Sequence, residues 1–217
     1  MSAVIAIDGP AASGKSSVSA RLAKRLGVPN VNSGGFYRAV TWEFLRMKVN
    51  LDSESAVVAA LKSVLLDCGL TPDGASYIEV NGYVPGEALR ADRINSLVSR
   101  VSAMPAVREL VTRRLRQIAA GRTLVMEGRD IGSVVFPETP HKFYLDASPE
   151  IRQARREAEE LADQVADRDK MDSSRAVAPL TIPPDARVID TSSLTLDGVV
   201  DAIADILRDA GLAPNSP

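Results

Sequence analysis

The sequence has few of the side chains that build disulfides, histidine-based active sites and metal clusters. Its 217 residues include one cysteine, Cys68, and one histidine, His141. A single cysteine excludes an internal disulfide and a cysteine-built metal site. His141 follows Pro140 at the start of an apolar run, so we expect a strand-entry residue and not a catalytic base. The single cysteine favours a reducing, cytoplasmic location.

Long apolar runs and a strong excess of one charge are also lacking. The 26 basic and 28 acidic residues give a net charge of −2, which offers no general attraction to nucleic acid or an acidic membrane. No run of 18 apolar residues occurs and the first residues carry no charged leader, so we expect neither a membrane span nor a signal peptide. We predict a cytoplasmic monomer of one α/β domain whose partners are small molecules.

A phosphate-binding loop lies near the start of the chain. The pattern G-x-x-x-x-G-K-S runs from Gly9 to Ser16, after an apolar run and before a helical pattern. Its glycines let the backbone wrap a phosphate chain, and its amide groups lead into a helix N-terminus that favours anions. Lys15 would reach the β- and γ-phosphates, and the Ser16 hydroxyl would bind Mg²⁺. The predicted ATP-binding residues are Gly9, Pro10, Ala11, Ala12, Ser13, Gly14, Lys15, Ser16 and Ser17.

Short apolar runs alternate with helical patterns along most of the chain, which predicts a five-stranded parallel sheet flanked by helices. The predicted strands are 3–7, 28–32, 122–126, 141–145 and 187–189, and a carboxylate follows each of the last three. Ligands bind at the carboxyl ends of such strands. We expect 33–35 to form a loop, and a helix that begins near Ser53 to continue through Leu66.

Two segments interrupt this alternation. Around Asn81-Gly82, alternating residues predict a small antiparallel β insert that closes over a substrate, although a hairpin without function is the alternative. The segment 151–175 is rich in arginine, and Arg168, Asp172 and Arg175 share one helical stripe. A solvent-facing helix with ion pairs would also explain it, but the triphosphate site favours a lid. The predicted parts are a core (1–66), the insert (67–93), core (94–150), the lid (151–175), and core with a C-terminal helix (176–217).

Arginines outside the loop indicate a second phosphate. Transfer of a phosphoryl group needs positioned cations and the exclusion of water. Arg38, Arg108 and Arg129 each follow a loop or a helix start, so they are candidates for an acceptor phosphate. No Asn-Lys-x-Asp element of guanine-specific switches is present. A P-loop kinase with another small-molecule acceptor, or a non-catalytic ATP-dependent regulator, remain alternatives.

The sequence resembles the bacterial cytidylate kinases nearly from end to end. The segments that carry the resemblance are 9–16, 32–38, 104–108, 127–137 (EGRDIGSVVFP) and 168–180, which ends in SRAVAPL. The resemblance implies transfer of the ATP γ-phosphoryl group to CMP or dCMP, giving ADP and CDP or dCDP, with Mg²⁺. Two departures are Asn32, where the family commonly has Asp, and a shorter stretch between Arg156 and Arg168.

The resemblance also implies roles for individual residues. Lys15, Arg129 and Arg168 would be catalytic, and Arg155, with Arg152 and Arg156, would belong to the lid over the ATP phosphates. Asp130, Arg168 and Asp172 would help to read cytosine and its sugar. The implied substrate-binding residues are Ser33, Arg38, Ser99, Arg108, Arg129, Asp130, Arg168, Asp172 and Arg175.

Overall fold

A parallel sheet forms the centre of the fold. The computed structural model describes residues 2–71, 76–158 and 178–212. Its strands are β1 (Val4–Asp8), β2 (Asn30–Asn32), β3 (Leu66–Leu70), β4 (Ser76–Val80), β5 (Leu124–Gly128), β6 (His141–Asp146) and β7 (Arg187–Asp190). Five of them form a parallel sheet in the order β2-β5-β1-β6-β7, and β3 pairs with β4 in an antiparallel ladder. The predicted parallel sheet and antiparallel insert are confirmed.

Helices connect these strands. They are α1 (Lys15–Leu26), α2 (Ser33–Arg46), α3 (Glu54–Leu61), α4 (Asp92–Ser102), α5 (Pro105–Ala119), α6 (Pro149–Ala158) and α7 (Leu196–Asp209). A 3-10 turn covers Gly86–Arg90 and a π-helical turn covers Ile131–Val135. In the described ranges no helix combines the length and the apolar character needed to cross a bilayer. Of the predicted lid, only the part up to residue 158 is described.

The chain divides into two compact units. Residues 1–32 and 119–217 form the first, which we call the core unit, and residues 33–118 form the second unit. The core unit contains the parallel sheet, and the second unit contains β3 and β4. The predicted limits of core, insert and lid stay predictions.

Apolar side chains from the sheet and two helices fill the core unit. Val18, Leu22 and Leu26 form the predicted stripe on α1, and they pack with residues of β1, β6 and α7. Gly27 ends α1 in the left-handed conformation, with φ 65°, as its position predicted. The fully buried members of this core include Ile5, Ile7, Leu22, Val125, Leu145, Ile203 and Leu207.

The small sheet differs from its predicted pairing. The helix that begins after Ser53 ends at Leu61, and Leu66 opens β3, in register with Val80 of β4. The prediction of a helix through Leu66 was therefore wrong, because ladder pairing with β4 outweighs the apolar spacing. The Asn81-Gly82 turn follows β4, with φ values of 52° and 76°, and closes a single bridge between Val80 and Tyr83.

The segment Ser33-Gly34-Gly35 is the first turn of α2, so the prediction of a loop was wrong. Gly35 has a packing role there, since a Cβ at this position would come within 3.0 Å of Ile78 Cδ1 on β4. The glycine therefore marks close packing of the helix and not a break in it.

Glu43 of α2 anchors the Asn81 turn to the helix. Its carboxylate accepts hydrogen bonds from Arg46 Nε (2.8 Å) and Nη2 (2.7 Å), and from Asn81 Nδ2 (2.9 Å). The hydrogen bond from Arg46 holds the pKa of Glu43 below its usual value. Trp42 stacks on Tyr83 with ring centroids 5.4 Å apart. The second unit thus holds its insert through a charged and an aromatic contact.

The packing of Gly35 predicts a sign reversal in a double-mutant cycle. In the natural background we expect Gly35→Ala to lower the free energy of unfolding, because the new Cβ meets Ile78 Cδ1. In an Ile78→Val background the nearest remaining atom, Cγ1, lies at 3.7 Å, so the helix propensity of alanine should raise it by about 0.5 to 1 kcal/mol. Urea unfolding followed by circular dichroism measures both. Equal effects in the two backgrounds would contradict the assigned contact.

Candidate active site

The loop from Gly9 to Gly14 joins β1 to α1 and is closed by its own contacts. Lys15 Nζ donates to Pro10 O (2.5 Å) and lies 3.4 Å from Ser13 Oγ. A Cβ on Gly9 would collide with the carbonyl oxygen of Leu145, so glycine is required there. Ala12 takes the left-handed conformation, with φ 56°, which a non-glycine residue adopts only at some cost in energy. The predicted loop is therefore present as a defined backbone cradle.

Side chains from α6 and from the end of β7 support this loop. Arg152 Nη1 donates to Ala11 O (3.3 Å) and its Nε to Ala147 O (3.0 Å). Thr191 Oγ1 donates to Ser13 O (3.1 Å) and accepts from Arg155 Nη1 (3.0 Å). Thr191 is 2% exposed and Arg152 is also buried, so their hydrogen bonds to Ser13 O and Ala11 O are shielded from water. The carbonyl groups of the loop are therefore hydrogen-bonded by Arg152 and Thr191, which lie outside the sequence motif.

Arg155 lies at the loop, where the resemblance predicted an ATP-binding arginine. Its Nη2 donates to Thr191 O (2.8 Å), and its Nη1 lies 3.8 Å from where a Cβ on Gly14 would be. Arg152 and Arg156 are buried. The three arginines of α6 therefore differ in exposure, and Arg155 is the partly exposed one.

A buried carboxylate lies beside the N-terminus of α1. Glu127, on β5, is 3% exposed and accepts a hydrogen bond of 2.7 Å from Ser16 Oγ. The parallel pairing of β1 with β5 brings these residues together, because Glu127 is in register with Ile7 at the end of β1. A hydroxyl and a carboxylate are the hard oxygen donors that Mg²⁺ prefers, so this pair can hold the ion.

A second buried carboxylate, Asp8, lies at the last position of β1. Its Oδ1 accepts from Ile131 N (2.8 Å) and its Oδ2 from Gly132 N (2.7 Å). Burial raises the pKa of Asp8 to about 6; nearby Asp130 also raises it, whereas the two amide hydrogen bonds and Lys15 oppose the shift. Asp8 therefore keeps an ionised carboxylate at neutral pH at a substantial desolvation cost.

Four of the predicted acceptor residues lie on helices of the second unit. Arg38 Nη1, on α2, donates to Asn95 Oδ1 (2.6 Å) and to Leu89 O (3.1 Å). Ser99 lies one turn after Asn95 on α4, so both share a helix face.

The other two lie at α2 and α5. The buried guanidinium of Arg108, on α5, lies 5.6 Å from the centroid of the Tyr37 ring. Ser33 is buried one turn before Tyr37 on α2. Arg108 thus packs on the helix that carries Ser33 and Arg38.

The remaining predicted acceptor residues divide into two groups. Arg129 and Asp130 follow β5, and the Asp130 carbonyl accepts from Val134 N and Val135 N, which opens the π-helical turn. Such turns are frequent at functional sites. Arg168, Asp172 and Arg175 lie outside the described residues.

The sequence analysis did not assign Asp8, Asn95, Glu127 or Thr191 to the site. Glu127 was noted, with Asp146 and Asp190, as a carboxylate that follows an apolar strand, but it was given no role. Asp8 carries the same signal at the end of β1. Asn95 could have been found as the residue four before Ser99. Thr191 carries no signal of its own, because its role depends on how the end of β7 meets the loop.

Comparison with known proteins finds relatives that match nearly the whole chain. The family profile of cytidylate kinase matches residues 5–209. A cytidylate kinase of Nocardia farcinica is 42% identical over 216 residues, covering 94% of this chain and 93% of that protein. Cytidylate kinases of Mycobacterium avium and a Geobacillus species are 41% and 40% identical, with 94% of this chain covered in each case.

The raised pKa of Asp8 predicts a pH-dependent contribution to stability. Between its unfolded value, 3.8, and about 6, the folded protein retains a proton that the unfolded chain releases. The protonated Asp8 therefore makes its whole contribution to the free energy of unfolding below the unfolded pKa of 3.8. That contribution is lost as the pH rises through the folded pKa of about 6. Relative to Asp8→Asn, the natural protein should gain about 1 kcal/mol between pH 7 and pH 5.

Urea unfolding of both proteins at the two pH values measures this difference. Asp205→Asn, which removes an exposed carboxylate on α7 that pairs with Arg208, controls for the loss of one charge. If the difference in free energy of unfolding between the natural protein and Asp8→Asn were the same at both pH values, the raised pKa assigned to the buried Asp8 would be contradicted.

Proposed function

The chain belongs to the cytidylate kinase family, and on this premise we propose that it transfers the γ-phosphoryl group of ATP to CMP or dCMP, giving ADP and CDP or dCDP. The proposal is carried by the complete phosphate-binding loop, with Lys15 and the Ser16–Glu127 pair at the start of α1, in a chain whose family match runs from residue 5 to 209. The single cysteine suits the reducing cytoplasm. We therefore also propose that the enzyme is cytoplasmic, and that it is a monomer.

The loop and its supports would bind the triphosphate. Backbone amides of the loop and of the first turn of α1 face an anion with the positive end of the helix dipole. Lys15 would exchange its contact with Pro10 O for phosphate oxygens, and Arg155 would add a cation at the rim of the loop. Because Arg152 and Thr191 hold the loop backbone, the cradle needs little reorganisation when ATP binds.

Mg²⁺ would be held by Ser16 together with Glu127. When bound, the ion neutralises charge on the β- and γ-phosphates. Ser16 Oγ already donates to the Glu127 carboxylate, so both oxygens are available at one place and both are hard donors. Glu127 also keeps the hydroxyl oriented in the absence of the nucleotide.

The acceptor would be bound by arginines and hydroxyls on elements outside the loop. We propose that Arg38, Arg108 and Ser33 hold the phosphate of CMP, and that Ser99 and Arg129 also contribute to binding it. Asp130 would accept a hydrogen bond from the cytosine amine or the sugar. Roles for Arg168, Asp172 and Arg175 in the transfer and in reading the base rest on the resemblance.

An acceptor screen tests the reaction. With ATP and Mg²⁺, we expect CMP and dCMP to give ADP release well above AMP, GMP and UMP in a coupled assay. Lys15→Ala should reduce turnover by about 100-fold or more while the circular dichroism spectrum is retained, because it removes a positioned cation from the transferred group. Preference for another acceptor would indicate a different small-molecule kinase, and ATP binding without acceptor-dependent ADP release would indicate a regulator.

Substitutions at the acceptor arginines should separate the two substrates. Arg38→Ala and Arg108→Ala should raise the KM for CMP by about 10- to 100-fold, the loss expected for a charge-assisted hydrogen bond of about 1.5 to 3 kcal/mol. The KM for ATP should change little. Arg100→Ala, which removes an exposed arginine that pairs with Asp52, is the matched control. An equal rise in both KM values would contradict the assignment.

A further inference from the structure

We propose that Asp8 is a positioning residue for the acceptor: its carboxylate holds the amide groups of Ile131 and Gly132, and thereby fixes the preceding pair Arg129–Asp130 that contacts CMP. The inference rests on the proposed function, since it assigns a task to a residue outside the set that contacts either substrate. Asp8 acts through the backbone, and its own oxygens point to protein amides.

Both oxygens of the buried Asp8 carboxylate are hydrogen-bonded to the 131–132 turn. Asp8 is 2% exposed, and each of its oxygens accepts one amide hydrogen bond, at 2.8 and 2.7 Å. The two donors are consecutive residues at the start of the π-helical turn, directly after Asp130. Hydrogen bonds from Val134 N and Val135 N to Asp130 O close the same turn. The backbone around Asp130 is therefore fixed from both sides of the turn.

Gly132 is closely packed against Lys142 and Asp8, so a side chain at this position would have little room. A Cβ at Gly132 would lie 3.1 and 3.2 Å from Lys142 Cγ and Cδ, and 3.3 Å from Asp8 Oδ2. Lys142 cannot move away easily, because its Nζ donates to Pro137 O and Asp185 Oδ2, both at 2.6 Å. The turn is thus held between the end of β1 and the β6 side chain beside it.

A merely structural role would not require a charged group here. Burying a carboxylate opposes folding, and Asp130 adds repulsion. The opposing cation is Lys15, which is proposed to move to phosphate when ATP binds. A carboxylate that accepts two hydrogen bonds from adjacent amides fixes their direction in a way that no apolar side chain can. The charge is therefore best explained by the need to orient the residues that precede the turn.

The effect should fall on the acceptor more than on the donor. The phosphate-binding loop is held by other contacts, namely Lys15 to Pro10 O, Arg152 to Ala11 O and Thr191 to Ser13 O. Within the part of the chain that the structure describes, the hydrogen bonds to the Asp8 carboxylate come from Ile131 N and Gly132 N. Loss of the carboxylate therefore frees the turn and leaves the loop contacts intact.

Two variants test the inference by separate routes. Asp8→Asn replaces one acceptor oxygen by an NH₂ group that faces an amide N–H. Gly132→Ala keeps the carboxylate but displaces the turn from it. In steady-state assays with ATP and Mg²⁺, we expect each to raise the KM for CMP about tenfold or more, with the KM for ATP changed less than about threefold. Calorimetric titration with CMP alone should show the same loss of affinity.

Ile203→Val, in the core beside α1, is the control for lost stability. It should lower the melting temperature and leave both KM values unchanged. If Asp8→Asn does not fold, Gly132→Ala decides the question. Equal changes in both KM values, or no change in either for a folded variant, would overturn the role of Asp8 while leaving the kinase function intact. Absence of CMP-dependent ADP release by the natural protein would instead overturn both proposals.

Discussion

The register between β1 and its two neighbours is the constraint on which the site depends. Asp8 is aligned with Gly128 of β5 and with Tyr144 of β6, so the ends of three parallel strands lie at one edge of the sheet. The phosphate-binding loop, the Arg129–Asp130 segment and the start of α6 all leave from this edge. Both faces of these strands are buried, so a shift of one residue in this pairing would exchange side chains between the two packed faces, and would separate Ser16 from Glu127 and Asp8 from the 131–132 turn.

Arginine and threonine side chains meet a second requirement, because carbonyl oxygens of the loop point toward the protein. A loop whose amides are reserved for phosphate leaves its carbonyl groups to be satisfied elsewhere. Arg152 and Arg155 direct guanidinium groups toward Ala11 O and Ala12 O, and Thr191 donates to Ser13 O. The cationic groups that support the loop also make its surroundings favourable to an anion, so one set of contacts serves stability and binding together.

The sequence predicted those parts of the fold in which local signals and tertiary contacts agree. The loop, the α1 stripe, Gly27 and the strands that end at Asp146 and Asp190 all combine periodicity with a clear stop. The prediction of a helix through Leu66 was wrong because the apolar spacing fits a helix, and the pairing of Leu66 with Val80 of β4 is not visible in the sequence. Gly35 failed for a related reason: a glycine that makes room for Ile78 cannot be distinguished, in one sequence, from a glycine that breaks a helix.

The site shows the same division. Lys15 and Ser16 belong to a continuous motif, and Arg38, Arg108 and Arg129 could be selected because a cation after a loop or at a helix start needs a partner. Asp8 and Glu127 stand close to Gly9 and Arg129 in the sequence, but their hydrogen-bond partners, the 131–132 turn and Ser16, lie near them only in space. The same holds for Asn95 and its partner Arg38. Thr191 is more than 170 residues from Ser13, whose carbonyl it supports, and no local pattern reports that distance. Predicting these residues requires the register of the sheet in addition to its existence.

Asp8 and Glu127, two of the buried carboxylates at this edge, differ in a way that follows from their partners. Glu127 accepts from the Ser16 hydroxyl, which can rotate to present an oxygen lone pair to a cation, so under the proposed function this contact can be exchanged when a metal–nucleotide complex binds. Asp8 accepts from two backbone amides, whose direction is set by the backbone of the turn, so this contact does not need to be exchanged when a substrate binds. Glu127 is therefore suited to contact a metal–nucleotide complex that binds and dissociates. Asp8 is suited to hold a backbone segment that keeps one position during these steps.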